Sequence, residues 1–159
     1  MSNRKILFIN PPYERIAKGY DFVKHITNNS PSLGLLHLAA EVRLHGYVPK
    51  IIESDIFNMS IDAVMEEVEK ENPDYVGITL FTVGVWNALT IAREIKKRLP
   101  KTVIIVGGPH ISSMGKETME RFREFDYAVD GEGEKILVEL LQVLETGGNP
   151  FSVPGIIFR

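Results

Sequence analysis

Short apolar runs alternate with amphipathic stretches along almost the whole chain, and that alternation leaves few folds open. "KILFIN" at Lys5–Asn10 is a continuous apolar run with β-branched and aromatic members, the pattern of a strand covered on both faces. "VPKIIE", "DYVGITL", "TVIIV", "YAV" and "GIIF" read as later strands at 48–53, 74–80, 102–106, 127–129 and 155–158. The stretches between them carry helical spacing. In "SPSLGLLHLAAEVRLHGY", Ser30 or Ser32 can cap a helix and Pro31 suits its first turn. Leu33, Leu36, Ala40 and Leu44 form the apolar stripe of a core-facing helix, and Gly46 stops it. Ser60 starts a second helix on Ile61, Val64, Met65 and Val68, and Asn72-Pro73 ends it. Val85, Leu89, Ala92 and Leu99 mark a third, 116–123 a weaker fourth, and "EKILVELLQVLETG" a fifth that ends at Gly147.

Strand and helix alternating at this spacing require right-handed crossovers, hence a parallel sheet with helices on both faces. The fold class expected is α/β: a doubly wound, flavodoxin-like (Rossmann-like) sheet of order 2-1-3-4-5 in three α/β/α layers. Pro49 cannot donate to a ladder, which agrees with strand 2 as a sheet edge. The 159 residues are expected to form one domain, with 44% apolar and 25% charged residues as in ordinary globular proteins.

Composition removes several functions. A net charge of −3 with scattered Lys and Arg gives no footprint for nucleic acid. No apolar run approaches the roughly 20 residues needed to span a bilayer, and no signal peptide opens the chain, so a cytoplasmic location without a membrane partner is expected. The absence of cysteine excludes thiolate metal sites and any iron–sulfur cluster held by this chain. The four histidines show no metal-ligating spacing, so no protein-held metal is expected.

In doubly wound sheets ligands bind outside the carboxyl ends of the strands, where the strand order reverses. Loops 11–30, 81–84, 107–113 and 130–133 surround that crevice. The first holds about twenty residues where such connections usually take a handful. It is either a surface insertion or a flap over a ligand, and its position favours the flap. Gly107-Gly108 ends strand 4 with two residues that lack side chains; a tight turn needs one glycine, whereas close approach of a bulky group uses both. Thr79 and Thr82 offer hydroxyls that suit a polar ligand or a helix cap equally. In "DGEGEK", Glu132 and Glu134 are expected to cap the next helix and complement its dipole. Familiar sites fail: "NPPYER" stands where a dinucleotide fold needs G-x-G-x-x-G and a flavin site its phosphate loop, and Asn10 and Thr79–Phe81 do not supply the acidic residues a phosphoacceptor needs after strands 1 and 3. No Ser–His–Asp arrangement can be argued, so no catalytic residue is expected.

"NPPY", "SPSLGLLHLAAEVRLHGY", "PDYVGITLFT", "VIIVGGPHIS" and "DYAVDGEGEKILVELL" together resemble the N-terminal cobalamin-binding domain of B12-dependent radical SAM enzymes, including the anaerobic Mg-protoporphyrin monomethyl ester cyclases. The resemblance covers 5–158 and implies cobalamin held at the C-terminal edge of the sheet. Asn10, Ser30, Leu33 and Gly34 are then expected near the entrance of the nucleotide tail. Thr79, Phe81, Thr82, Gly107, Gly108, Pro109 and His110 would line the slot, and Asp130, Gly131 and Glu132 would close it. The glycines would let the tail pass against bare backbone, and Gly108→Leu is expected to abolish binding without unfolding the chain. His110 would donate to cofactor amides or phosphate rather than ligate cobalt. Two departures stand out. Methionine-synthase-type domains carry D-x-H-x-x-G after strand 1; here "NPPYERIAKG" supplies no histidine in that frame, so cobalt is expected without a ligand from it, although His25 follows in the same loop. The C-x-x-x-C-x-x-C motif is absent, so the radical SAM domain would be a partner beyond Arg159, performing methyl transfer or oxidative cyclisation in a parent enzyme. The alternatives from other classes are a flavodoxin-like interaction module and a small-molecule sensor, neither binding a corrinoid.

Overall fold

A computed structural model describes residues 3–12 and 30–158. In chain order the elements are β1 (Lys5–Asn10), α1 (Leu33–Leu44), β2 (Val48–Glu53), α2 (Ile61–Glu71), β3 (Tyr75–Thr79) and α3 (Val85–Arg98). They continue with β4 (Val103–Gly107), α4 (Pro109–Arg121), β5 (Tyr127–Val129), α5 (Gly133–Glu145) and β6 (Ile156–Ile157). The sheet runs β2-β1-β3-β4-β5-β6. Pairings through β5 are parallel, and β6 adds to β5 antiparallel as an extra edge. The doubly wound, flavodoxin-like order stands, and Pro49 lies in edge strand β2, opposite Ile6.

Side-chain alternation splits the core into two layers. Leu7, Ile9, Val76, Ile78, Ile104 and Val106 face α2, α3 and α4. Ile6, Phe8, Tyr75, Ile105 and Val129 face α1 and α5. Ser60 caps α2 by accepting from Ala63 N–H, as expected, and Asn72 closes that helix in the left-handed conformation.

Two expectations need correction, and one left between alternatives is decided. The first is the buried face of α1. Leu35 is 4% exposed and packs inward with Ala39 and Val42, whereas Leu33 and Leu44 are 70% and 81% exposed. The helix is apolar around most of its circumference, so two stripes overlap and spacing cannot say which one meets the sheet. The second, its cap, falls to one of the two serines offered: Ser32 accepts from Leu35 N–H. The third is α4, which starts at Pro109 rather than near 116. Gly108 adopts φ +103° and turns the chain so that Pro109 enters the first helical turn, where its missing N–H costs nothing. Ser112, Ser113 and Gly115 are weak helix formers, which hid this turn, and the helix kinks at Met114.

Candidate functional site

A cleft of about 400 Å³ opens at the C-terminal end of the sheet, between α1 and the start of α5. That volume falls in the range of small-molecule sites. Its floor follows from strand alternation: Phe8, Gly77, Thr79, Ile105, Gly107 and Val129 share the face toward α1 and α5. The register sets Gly77 between Phe8 and Ile105, and Gly107 between Thr79 and Val129. A Cβ on Gly77 would lie 2.7 Å from the Phe8 ring, so this glycine lets the ring lie flat as part of the floor. A Cβ on Gly107 would meet only Val129, at 3.6 Å and beyond, so the backbone there is bare toward the cleft. Gly34, on the α1 wall, would meet nothing within 4 Å.

Gly108 is different. Its positive φ and a hypothetical Cβ 2.9 Å from Thr79 Oγ1 and 3.1 Å from the Leu80 carbonyl show what its missing side chain serves. It accommodates the protein's own β3 end, not an open slot. Gly108→Leu is therefore no clean test of binding, because it strains the backbone.

Gly34, Thr79, Phe81, Gly107, Gly108, Pro109, Gly131 and Glu132 line the cleft, drawn together from α1 and from the β3, β4 and β5 ends. Six other predicted residues lie off it. Ser30 precedes α1 on the surface and Leu33 faces solvent. Asp130 N–H donates to Gly155, which ties β5 to β6. Thr82 is exposed on a short 3-10 turn, Thr82–Gly84. His110, 7% exposed, bridges two threonines: Nδ1 lies 3.1 Å from Thr82 Oγ1 and Nε2 3.0 Å from Thr118 Oγ1. Burial holds its pKa below the ordinary histidine value, and a neutral ring has one donor and one acceptor to share between the hydroxyls. The expected donation from His110 to a cofactor thus has no free ring nitrogen to make it. His25 and most of the 11–30 loop lie outside the described residues.

Asn10 lies outside the cleft lining and connects to it through Glu53 and Ser32. Its Nδ2 donates to Glu53 Oε2 at 3.0 Å, while Glu53 Oε1 accepts from Ser32 N–H at 2.7 Å. This carboxylate, 7% exposed, ties the ends of β1 and β2 to the first turn of α1. Asn10 Oδ1 is buried without a partner among the described residues. Glu53 carried no signal in the sequence, because only the parallel register puts it beside Asn10. Phe8, Gly77 and Ile105 also went unnamed; β-strand alternation from Gly107 would have found them. At the opposite wall, Glu132 occupies the N-cap of α5 but its side chain makes no capping bond, contrary to expectation. Glu134 does stand in the first turn, where its charge complements the helix dipole.

A glycine-floored cleft at the C-terminal edge of a doubly wound sheet lies where proteins of this fold class bind their ligands. The chain belongs to the B12-binding domain family, whose model matches residues 21–141, and cobalamin is the cofactor of that family. An uncharacterized methyltransferase of Pyrococcus horikoshii is 31% identical over 159 residues, covering 100% of this chain and 33% of that protein. The anaerobic magnesium-protoporphyrin IX monomethyl ester cyclase of Rubrivivax gelatinosus is 30% identical over 147 residues, 90% of this chain and 25% of that protein. Among solved structures, the cobalamin-dependent S-adenosylmethionine radical enzyme OxsB with aqua-cobalamin bound superposes with a TM-score of 0.79. It covers 98% of this chain and 20% of that one at 18% identity, a likeness of fold. The chain thus spans a third or less of the length of these relatives.

Proposed function

We propose that this chain is a single cobalamin-binding domain that seats the cofactor's nucleotide tail between α1 and α5. It presents the corrin ring, at the C-terminal edge of the sheet, to a radical SAM catalytic domain of a longer protein. The observation that carries the reading is Gly107: bare β4 backbone on the floor of an open 400 Å³ cleft, in a chain of the B12-binding family. The residues present suit the group. A flat aromatic and aliphatic floor from Phe8, Ile105 and Val129 suits an aromatic base. Thr79 Oγ1 stands on the same face as Gly107 and offers a further polar contact.

When bound, cobalamin supplies a cobalt centre able to carry a methyl group, and the protein's share is binding and orientation. Pro11 and Pro12, the described part of the loop after β1, supply no imidazole to that centre. The chain has no cysteine, so cluster chemistry belongs to a partner domain. The relatives' greater length and their names as a methyltransferase and a cyclase support that division. The test is retention. The protein is mixed with hydroxocobalamin and desalted, and the visible spectrum is recorded; one corrinoid per chain is expected, and none retained would overturn the reading.

A further inference from the structure

His110 and Thr118 lie eight residues apart on α4, yet the imidazole Nε2 meets the threonine hydroxyl at 3.0 Å. A straight helix would separate such positions by about 12 Å along its axis. The break at Met114, with φ −141° and ψ 28°, lies midway between them and shortens that distance. The kink therefore assembles a fixed bridge, Thr118–His110–Thr82, in which the buried ring is oriented from behind and holds an exposed hydroxyl in front. Thr82 opens the Thr82–Gly84 turn, which Gly84 N–H closes on the Phe81 carbonyl at 2.8 Å. Phe81 precedes the turn and lines the cleft. The backbone beneath is separately laced, with Leu80 N–H on Gly107 O at 2.7 Å and His110 N–H on Leu80 O at 3.1 Å. The imidazole thus acts on the part of the β3–α3 connection that the sheet does not itself hold.

We infer that His110 is a positioning residue: through the Thr82 hydroxyl it seats the 82–84 turn and keeps Phe81 as a wall of the cleft. The inference rests on the corrinoid reading of that cleft. Two replacements separate positioning from bulk stability. His110→Asn carries a polar atom near the Nδ1 position and keeps the Thr82 bond, whereas His110→Gln reaches the Nε2 position and keeps only Thr118. Thr82→Val removes the exposed hydroxyl with little change of shape.

The experiment measures hydroxocobalamin affinity, amide exchange of Gly84 by NMR without cofactor, and thermal melting for all three variants. His110→Gln and Thr82→Val are expected to speed Gly84 exchange and weaken affinity about ten-fold, as loss of one hydrogen bond does. His110→Asn stays close to wild type in both, although it melts no higher than His110→Gln. Equal affinities for the Asn and Gln variants would overturn the inference, and so would unchanged Gly84 exchange. Faster exchange with unchanged affinity would overturn the link to the cleft. Should the wild-type chain bind no corrinoid, the cofactor reading fails on its own, and Gly84 exchange still decides whether His110 seats the turn.

Discussion

Two adjacent glycines in one motif do different work. Gly107 has ordinary backbone geometry and open space on the cleft side, so Gly107→Leu fills the floor without straining the chain. It is expected to abolish corrinoid retention while the melting temperature moves by no more than a few degrees. Gly108 adopts φ +103° against Thr79 and Leu80, so even Gly108→Ala is expected to lower unfolding free energy in urea by about 1–3 kcal/mol. The pairing "GG" was legible as a demand for bare backbone; its division between the open cleft and the protein's own β3 end was not, because that depends on φ and on neighbours from β3. His110 makes a second case. An unfolded chain protonates this ring as the pH falls through the ordinary value of 6.5, while the folded chain, with its lowered pKa, resists. The unfolded state then binds more protons, so this contribution to stability is present above pH 6.5 and declines below it. Urea midpoints of the wild type are expected to drop between about pH 7 and 5.5 more steeply than those of His110→Asn.

The helices show where pattern reading ends. α2 and α3 are amphipathic in one direction only, and their buried residues Val64, Met65, Val68, Leu89 and Ala92 fall on the expected faces. α1 is apolar nearly all round, and the sheet takes Leu35 rather than Leu36. Leu35→Ala is expected to cost about 2–4 kcal/mol and Leu36→Ala within about 0.5 kcal/mol, measured by chemical denaturation. A reversed order of the two values would return the buried face to the stripe that spacing favours. α4 escaped recognition in its first turn because serines and a glycine follow its proline, and that turn carries His110. A residue's helical address thus bears on its role: on the helix His110 faces Thr82 and Thr118.

Ligand binding as proposed would couple to the stability of the whole sheet, because the cleft draws on β1, β3, β4 and β5 together with α1 and α5. Hydroxocobalamin at a hundred times its dissociation constant adds about 2.7 kcal/mol, which for a chain of this size corresponds to a rise of roughly 5–10 °C in melting temperature. Differential scanning calorimetry checks this, and an unchanged melting temperature at saturation would speak against binding to the folded form. Local chemistry alone determined the parallel α/β architecture, the edge position of β2 and the place of the crevice. Each follows from period, from proline's missing donor and from the handedness of crossovers, all properties of neighbouring residues. Which face of α1 is buried, which glycine is bare and which side chains bridge across strands came only with the packed chain. Those outcomes join residues far apart in sequence, such as Asn10 with Glu53 and Thr82 with His110, and a contact of that kind has no counterpart in local spacing.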